Sequence, residues 1–269
     1  MSSEQAPLIP PTVSSLTVNL RALGVVPGMT LIVHSSMKAI APWVIGGAQA
    51  VILALETVLG PEGTLVMPTM TGDLTDPAGW GNPPVPPSWW EPIRQEMPPF
   101  MPDLTPTRKM GLIPETFRKQ NGTLRSSHPV TSFAAWGKHA ATITANHLLE
   151  SPLGEDSPLA RIYDLHGSVL LLGVGHGNNS SLHLAETRAS YPSRRIERHA
   201  SPILIDGQRH WVEYEALEGN NDDFVQIGDN FARETCLQNQ GKVGQATALL
   251  MPQRPLVDYA VRWMEQNRA

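Results

Sequence analysis

The sequence predicts an α/β fold: a single domain over residues 1–269, a central mixed sheet flanked by helices, an inserted hairpin at 201–217 and a long Pro/Trp-rich loop at 72–106. Three observations carry this. Short apolar runs of strand length alternate with segments of helical period. Two extended stretches meet at Asp206-Gly207, a dipeptide suited to tight hairpins. Between 72 and 106 the periodicity collapses. No repeat, heptad or linker divides the chain.

After a polar, proline-bearing tail, Leu16, Leu20 and Leu23 mark one side of a helix that Gly24 stops. A buried strand follows at 31–33 and breaks at His34-Ser35-Ser36, placing polar residues at a strand's carboxyl end, where ligands bind in open α/β sheets. The alternative is that the two serines simply turn the chain. GGAQAVILALETVLG reads as an amphipathic helix, and TLVMPTM as a second strand. The 72–106 stretch is dense in proline, which serves neither ladder nor helix, so it reads as an irregular loop or lid. Trp80, Trp89, Trp90 and Phe100 are too many large rings to leave wet, so this loop is expected to pack onto the body. MGLIPETFRKQNG reads as a helix, RSSHPVTSFAAWG as a turn feeding a strand, KHAATITANHLLE as a helix, and 157–165 as a short helix. Past the hairpin, an acidic, Asn-rich stretch opens a helix at Asp223, and a strand-like piece with a final helix closes the chain.

The stretch at 170–190, LLLGVGHGNNSSLHLAETRAS, organises the rest. An apolar strand runs into a turn carrying Gly173, Gly175 and Gly177 around His176, then into Asn and Ser residues suited to cap a helix from about Leu182. His183 and Glu186 are three residues apart and leave one helix face together. An imidazole beside a carboxylate at such a corner suits a general base with an orienting partner. A merely structural H-x-x-E pair is the competing reading, against which stands the crowding of Gly, Asn and Ser just before it.

Composition narrows the class. With 41% hydrophobic and only 17% charged residues, the chain can bury a sizeable core and is not a disordered one. A formal net charge of -5 gives no electrostatic reason to expect nucleic acid and suits a cationic partner. A single cysteine, Cys236, excludes an internal disulfide framework and fits a reducing cytoplasm. No apolar run approaches membrane-span length, and the first twelve residues lack the pattern of a signal peptide. There is no G-x-S-x-G elbow and no phosphate loop, and GVGHG stops short of a dinucleotide fingerprint. His176, His183 and Glu186 offer zinc donors, but without the H-E-x-x-H spacing; no metal is the favoured reading.

HSSM after the first strand, GTLVMPTMTG, RKMGLIPETFR, RSSHPVTSFAAWG, SPLARIYDLHGSVLLLGVGHGNNSSLHLAE and the late DDF, in that order, together resemble the antibiotic N-acetyltransferase family, whose best-known members are the aminoglycoside 3-N-acetyltransferases. The resemblance implies a fold distinct from the GNAT acetyltransferases, acetyl-CoA as donor and a small-molecule primary amine, an aminoglycoside above all, as acceptor. Another small-molecule amine is the alternative acceptor, and a non-catalytic or metal-dependent protein on the same fold is the third reading. The resemblance also implies His183 as general base with Glu186 beside it. Ser35 and Ser36 match the corner against coenzyme A; Met110, Gly111, Ser126 and His128 belong to blocks lining the cofactor cleft; Asp222 and Asp223 match the acidic pair on the acceptor side. Backbone N–H groups of the HSS corner or the glycine turn are the expected donors to a developing oxyanion. A homo-oligomer is left open.

Overall fold

The computed structural model describes residues 9–269, so the first eight residues of the polar tail lie outside it. In chain order the elements are α1 (Val13–Leu23), β1 (Thr30–Ser35), α2 (Met37–Ile40), α3 (Gly47–Leu59), β2 (Thr64–Pro68), α4 (Trp90–Glu96), α5 (Leu112–Phe117), β3 (Leu124–Arg125), β4 (Phe133–Gly137), α6 (Ala140–Thr144), α7 (Pro158–Asp164), β5 (Ser168–Leu172), α8 (Ser181–Arg188), β6 (Ile196–Ile205), β7 (Gln208–Leu217), α9 (Phe224–Thr235), β8 (Asn239–Val243), β9 (Ala246–Pro252) and α10 (Gln253–Asn267). Seven strands form one mixed sheet, ordered β3-β4-β2-β1-β5-β9-β8. The central trio β2, β1 and β5 is parallel, and antiparallel strands close both sides. β6 and β7 form a separate two-stranded ribbon, turned at Asp206-Gly207 with φ values of 51° and 76°.

Side chains alternate across the sheet, and each face buries its own core. Leu31 and Val33 pack with residues of α1, α3 and α5 on one face. Ile32 and Val169 pack on the other with α7, α8, α9 and α10. β1 therefore feeds helices on one face, while its parallel neighbour β5 feeds α8 on the opposite face. The carboxyl ends of these two strands mark the switch point at which open α/β sheets bind ligands.

Several expectations need correction. β1 does not break at His34: Ser35 pairs with Leu172, and the Ser36 N–H donates to the Leu172 carbonyl at 2.9 Å, so cross-strand bonding overrides the polar sequence. That N–H is thereby removed from the expected oxyanion donors. The helix expected over 138–150 is only α6, because Asn146 adopts a left-handed φ of 44° and turns the next residues inward. The hairpin begins at Ile196 rather than 201. The edge strand β8 was missed, as Asn239-Gln-Gly-Lys carries no apolar signal.

The 72–106 insertion is more ordered than expected, with α4 and two 3₁₀ turns inside it. Of its large rings only Phe100 is buried; Trp80 and Trp90 are half-buried and Trp89 is exposed. Arg125 holds the insertion to the sheet, and Ser201 and Arg209 hold it to the ribbon. The Arg125 guanidinium donates to the carbonyls of Pro102 at 2.9 Å, Thr105 at 2.6 Å and Thr69 at 2.6 Å, and lies over the Phe100 ring. Burial, with neighbouring Arg118, lowers the Arg125 pKa to about 10, so it remains a cation and a donor.

Candidate active site

A 3₁₀ turn (His176–Asn178) follows β5, and the Asn179 side chain accepts the Ser181 N–H at 3.2 Å to start α8. His183 and Glu186 then emerge on one face, and His183 Nδ1 hydrogen-bonds Glu186 Oε2. Glu186 is 1% exposed, whereas the His183 side chain is 21% exposed. A carboxylate facing Nδ1 fixes the proton there and leaves Nε2 as the ring's basic nitrogen. Phe224 stands edge-on to the imidazole with centroids 4.8 Å apart, and Gly219 passes close behind it. A Cβ on Gly219 would sit 3.2 Å from His183 Cε1 and Nδ1, so the absent side chain is what lets the ring lie there.

The imidazole lines a cleft of about 200 Å³, whose other walls include His128, Glu150, His199 and Tyr214. Two buried histidines build the wall opposite. His128 Nδ1 accepts the N–H groups of Val130 and Thr131, each at 3.1 Å, so its Nε2–H donates to the Leu149 carbonyl at 3.3 Å. His147 Nε2–H donates to the Pro152 carbonyl at 2.8 Å, and its Nδ1 accepts from the Ser126 hydroxyl at 2.9 Å. Burial lowers His128 to about 4, and burial together with the adjacent His128 lowers His147 to about 3. Both are neutral structural rings that pin the 149–152 segment.

Of the residues singled out in the sequence, the cleft brings together His183, Glu186 and His128. Ser126 is fully buried behind the wall, holding His147 and the Phe133 N–H. Ser35 and Ser36 sit at the end of β1, and among the described residues the buried Ser35 Oγ has no partner. Its neighbour His34 is buried with Nε2 also unpartnered; burial, reinforced by nearby His183, lowers its pKa to about 3. Met110 and Gly111 precede α5 on the opposite face of the sheet from α8 and do not line the His183 cleft. Asp222 is exposed, and Asp223 receives a bidentate pair from Arg268, 2.7 Å from Nε and 2.6 Å from Nη2. The acidic pair lines a neighbouring depression that shares Gly219 with the main cleft. His176 turns away from His183: it hydrogen-bonds Gln238 at 2.9 Å and packs on α9 at Gly228, where a Cβ would lie 2.0 Å from its ring. The three zinc donors considered from sequence therefore do not converge.

Sequence reasoning missed His147, Gly219, Phe224 and Arg268. Only Phe224 left a local signal, as the first apolar residue after the acidic pair; the others act across the fold.

A histidine–carboxylate pair at the carboxyl end of parallel strands defines a site geometry, and comparison with known proteins gives it a lineage. The family model described as aminoglycoside 3-N-acetyltransferase matches residues 32–265. The chain is 45% identical over 259 residues to the SPbeta prophage-derived aminoglycoside N(3')-acetyltransferase-like protein YokD of Bacillus subtilis (strain 168), covering 96% of this chain and 94% of that one. The crystal structure of YokD superposes with a TM-score of 0.93 at 44% identity, over 97% of this chain and 95% of that one. Aminoglycoside N(3)-acetyltransferase VII of Streptomyces paromomycinus is 35% identical over 96% of this chain and 93% of its own length. A structure described as AAC-IIIb binary with CoASH matches with a TM-score of 0.85 at 31% identity, covering 96% and 97% of the two chains. The fold, the ordered sequence blocks and these relatives agree: the chain belongs to the aminoglycoside 3-N-acetyltransferase family.

Proposed function

We propose that this protein transfers the acetyl group of acetyl-CoA to the 3-amino group of an aminoglycoside, giving resistance, with His183 as general base. The observation that carries the reading is the His183 imidazole, which lines the cleft, is 21% exposed and is anchored at Nδ1 by a buried carboxylate. An amine must lose a proton to become a nucleophile, and a neutral imidazole of ordinary pKa near 6.5 accepts it around neutral pH. Glu186 holds the ring in the tautomer that leaves Nε2 free and stabilises the positive charge that follows. Bound acetyl-CoA supplies an acyl carbon activated by a thiol leaving group. The residues at the end of β1 fit such a ligand, since Ser35 Oγ and His34 Nε2 are buried polar atoms with no partner among the described residues. Ser35 and Ser36, with Met110, Gly111 and His128, are our candidates for the coenzyme's surroundings. Because acetyl-CoA is made and used in the cytoplasm, the cytoplasm is where we place the reaction; among the described residues no helix is long and apolar enough to cross a membrane.

One observation favours a second reading. Asp223 is already occupied by Arg268, which leaves Glu150 as the cleft's carboxylate with no ion-pair partner among the described residues. A small amine with fewer charges than an aminoglycoside would need no more. Thiol release from acetyl-CoA, measured against aminoglycosides and singly charged amines, decides between them. Turnover with aminoglycosides supports the first reading; turnover confined to singly charged amines replaces it with the second.

A further inference from the structure

We infer that Arg268, the residue following α10, is a positioning residue that pairs with the buried Glu186 carboxylate and keeps it aimed at His183. The inference rests on reading His183 as the base. Glu186 is buried, and a carboxylate taken out of water needs a counter-charge and hydrogen-bond donors. Its two oxygens are engaged separately. Oε2 holds His183, while Oε1 accepts Arg268 Nη1 at 2.7 Å and the Asn220 N–H at 2.9 Å. Arg268 is itself 9% exposed, and all five of its N–H donors have partners. Nη1 also reaches the Tyr191 hydroxyl at 3.3 Å, Nε and Nη2 hold the two Asp223 oxygens, and Nη2 reaches the Asn220 carbonyl at 2.9 Å. A guanidinium so saturated has no donor left for a ligand. What it can do is fix Glu186 through charge and geometry, with Asp223 orienting it from behind.

The electrostatic consequence has one sign wherever the proton resides. Without the cation, the His183–Glu186 pair gains a proton more readily, as imidazolium with carboxylate or as imidazole with carboxylic acid. Either form blocks Nε2 or loses its orienting partner, so the acid side of the activity profile moves to higher pH. Removing the Asp223 charge acts oppositely, since it leaves Arg268 more positive toward the pair. The other ionisable groups facing the pair are His34 on β1, Tyr191 beyond α8, and His128, Glu150, His199 and Tyr214 across the cleft. These are common to every variant below.

The test is the pH dependence of acceptor kcat/KM, read by thiol release from acetyl-CoA with the best acceptor of the panel. Arg268→Met should raise the acid limb by about 1–3 pH units, a tenfold or larger loss on that limb, with activity recovering toward the alkaline plateau. Arg268→Lys, which keeps the charge, should lie closer to wild type, and Asp223→Asn should shift the limb downward. Should Arg268→Met fail to fold, the opposed behaviour of Arg268→Lys and Asp223→Asn carries the test. A limb that stays in place in Arg268→Met, or in Asp223→Asn, or a loss uniform with pH, overturns the inference. His183→Ala separates the two levels: if it retains turnover, the base reading fails; if it is inactive while the limbs stay fixed, only the role of Arg268 fails.

Discussion

Lowering the pH from about 7.5 to about 5.5 should destabilise this fold through histidines buried as neutral rings. His34, His128 and His147 have folded-state pKa values of about 3, 4 and 3, against an ordinary 6.5. The unfolded chain therefore binds protons first. Each ring's contribution is fully present above pH 6.5 and is lost as the pH falls toward the folded values. At about pH 5.5 that loss is about 1.4 kcal/mol per histidine, or about 4 kcal/mol for the three, a large share of a typical domain's stability. Glu115 and Asp76, lowered despite partial burial by their arginine partners, lose their contribution only further into acid, and Glu56, raised by burial, acts in the opposite direction to the histidines. Urea unfolding followed by tryptophan fluorescence at the two pH values measures the difference. His147→Gln should shrink the acid-induced loss by about 1.4 kcal/mol, whatever it does to stability at neutral pH. Equal unfolding free energies at the two pH values would refute the reasoning. Because His128 and His147 hold the 149–152 wall of the cleft, loss of activity in mild acid should accompany the loss of stability.

Two further perturbations follow from close contacts. Gly219→Ala places a methyl 3.2 Å from the His183 ring, which must shift by a few tenths of an ångström; kcat should fall about tenfold while the melting temperature changes little. Unchanged kcat would mean that the position of the ring is not critical. Arg125→Met leaves the Pro102 and Thr105 carbonyls without their donor, while Thr69 keeps the Ser132 hydroxyl, so limited proteolysis within 72–106 should accelerate and stability should fall by about 2 kcal/mol; resistance equal to wild type would show that the ribbon contacts of Ser201 and Arg209 secure the insertion without it.

What could be read from the sequence was what is local. The parallel strands announced themselves as unbroken apolar runs, α1 by its leucine spacing and Gly24, and the ribbon by Asp206-Gly207. The His183–Glu186 pair was legible because one helical turn fixes its geometry before any tertiary contact forms. Other features depended on partners far along the chain. Arg268 lies 82 residues from Glu186, and nothing in Asn267-Arg268-Ala269 hints at that contact. The same pairing changed the meaning of Asp223, which in sequence is only a carboxylate at a helix start. The helix expected at 138–150 failed for a similar reason: His147 satisfies its ring nitrogens against Ser126 and Pro152, and that arrangement outweighs the helical propensity of its neighbours. β8 is an edge strand recruited by backbone pairing with β9, where composition matters little.

In the proposed mechanism His183 removes the proton from the acceptor amine. The most direct test is the turnover of His183→Ala beside its acetyl-CoA affinity by calorimetry. The account predicts a loss of about 10²–10⁴-fold in kcat with coenzyme affinity little changed, because the imidazole acts on the transition state. A variant that keeps more than about a tenth of wild-type turnover would contradict it.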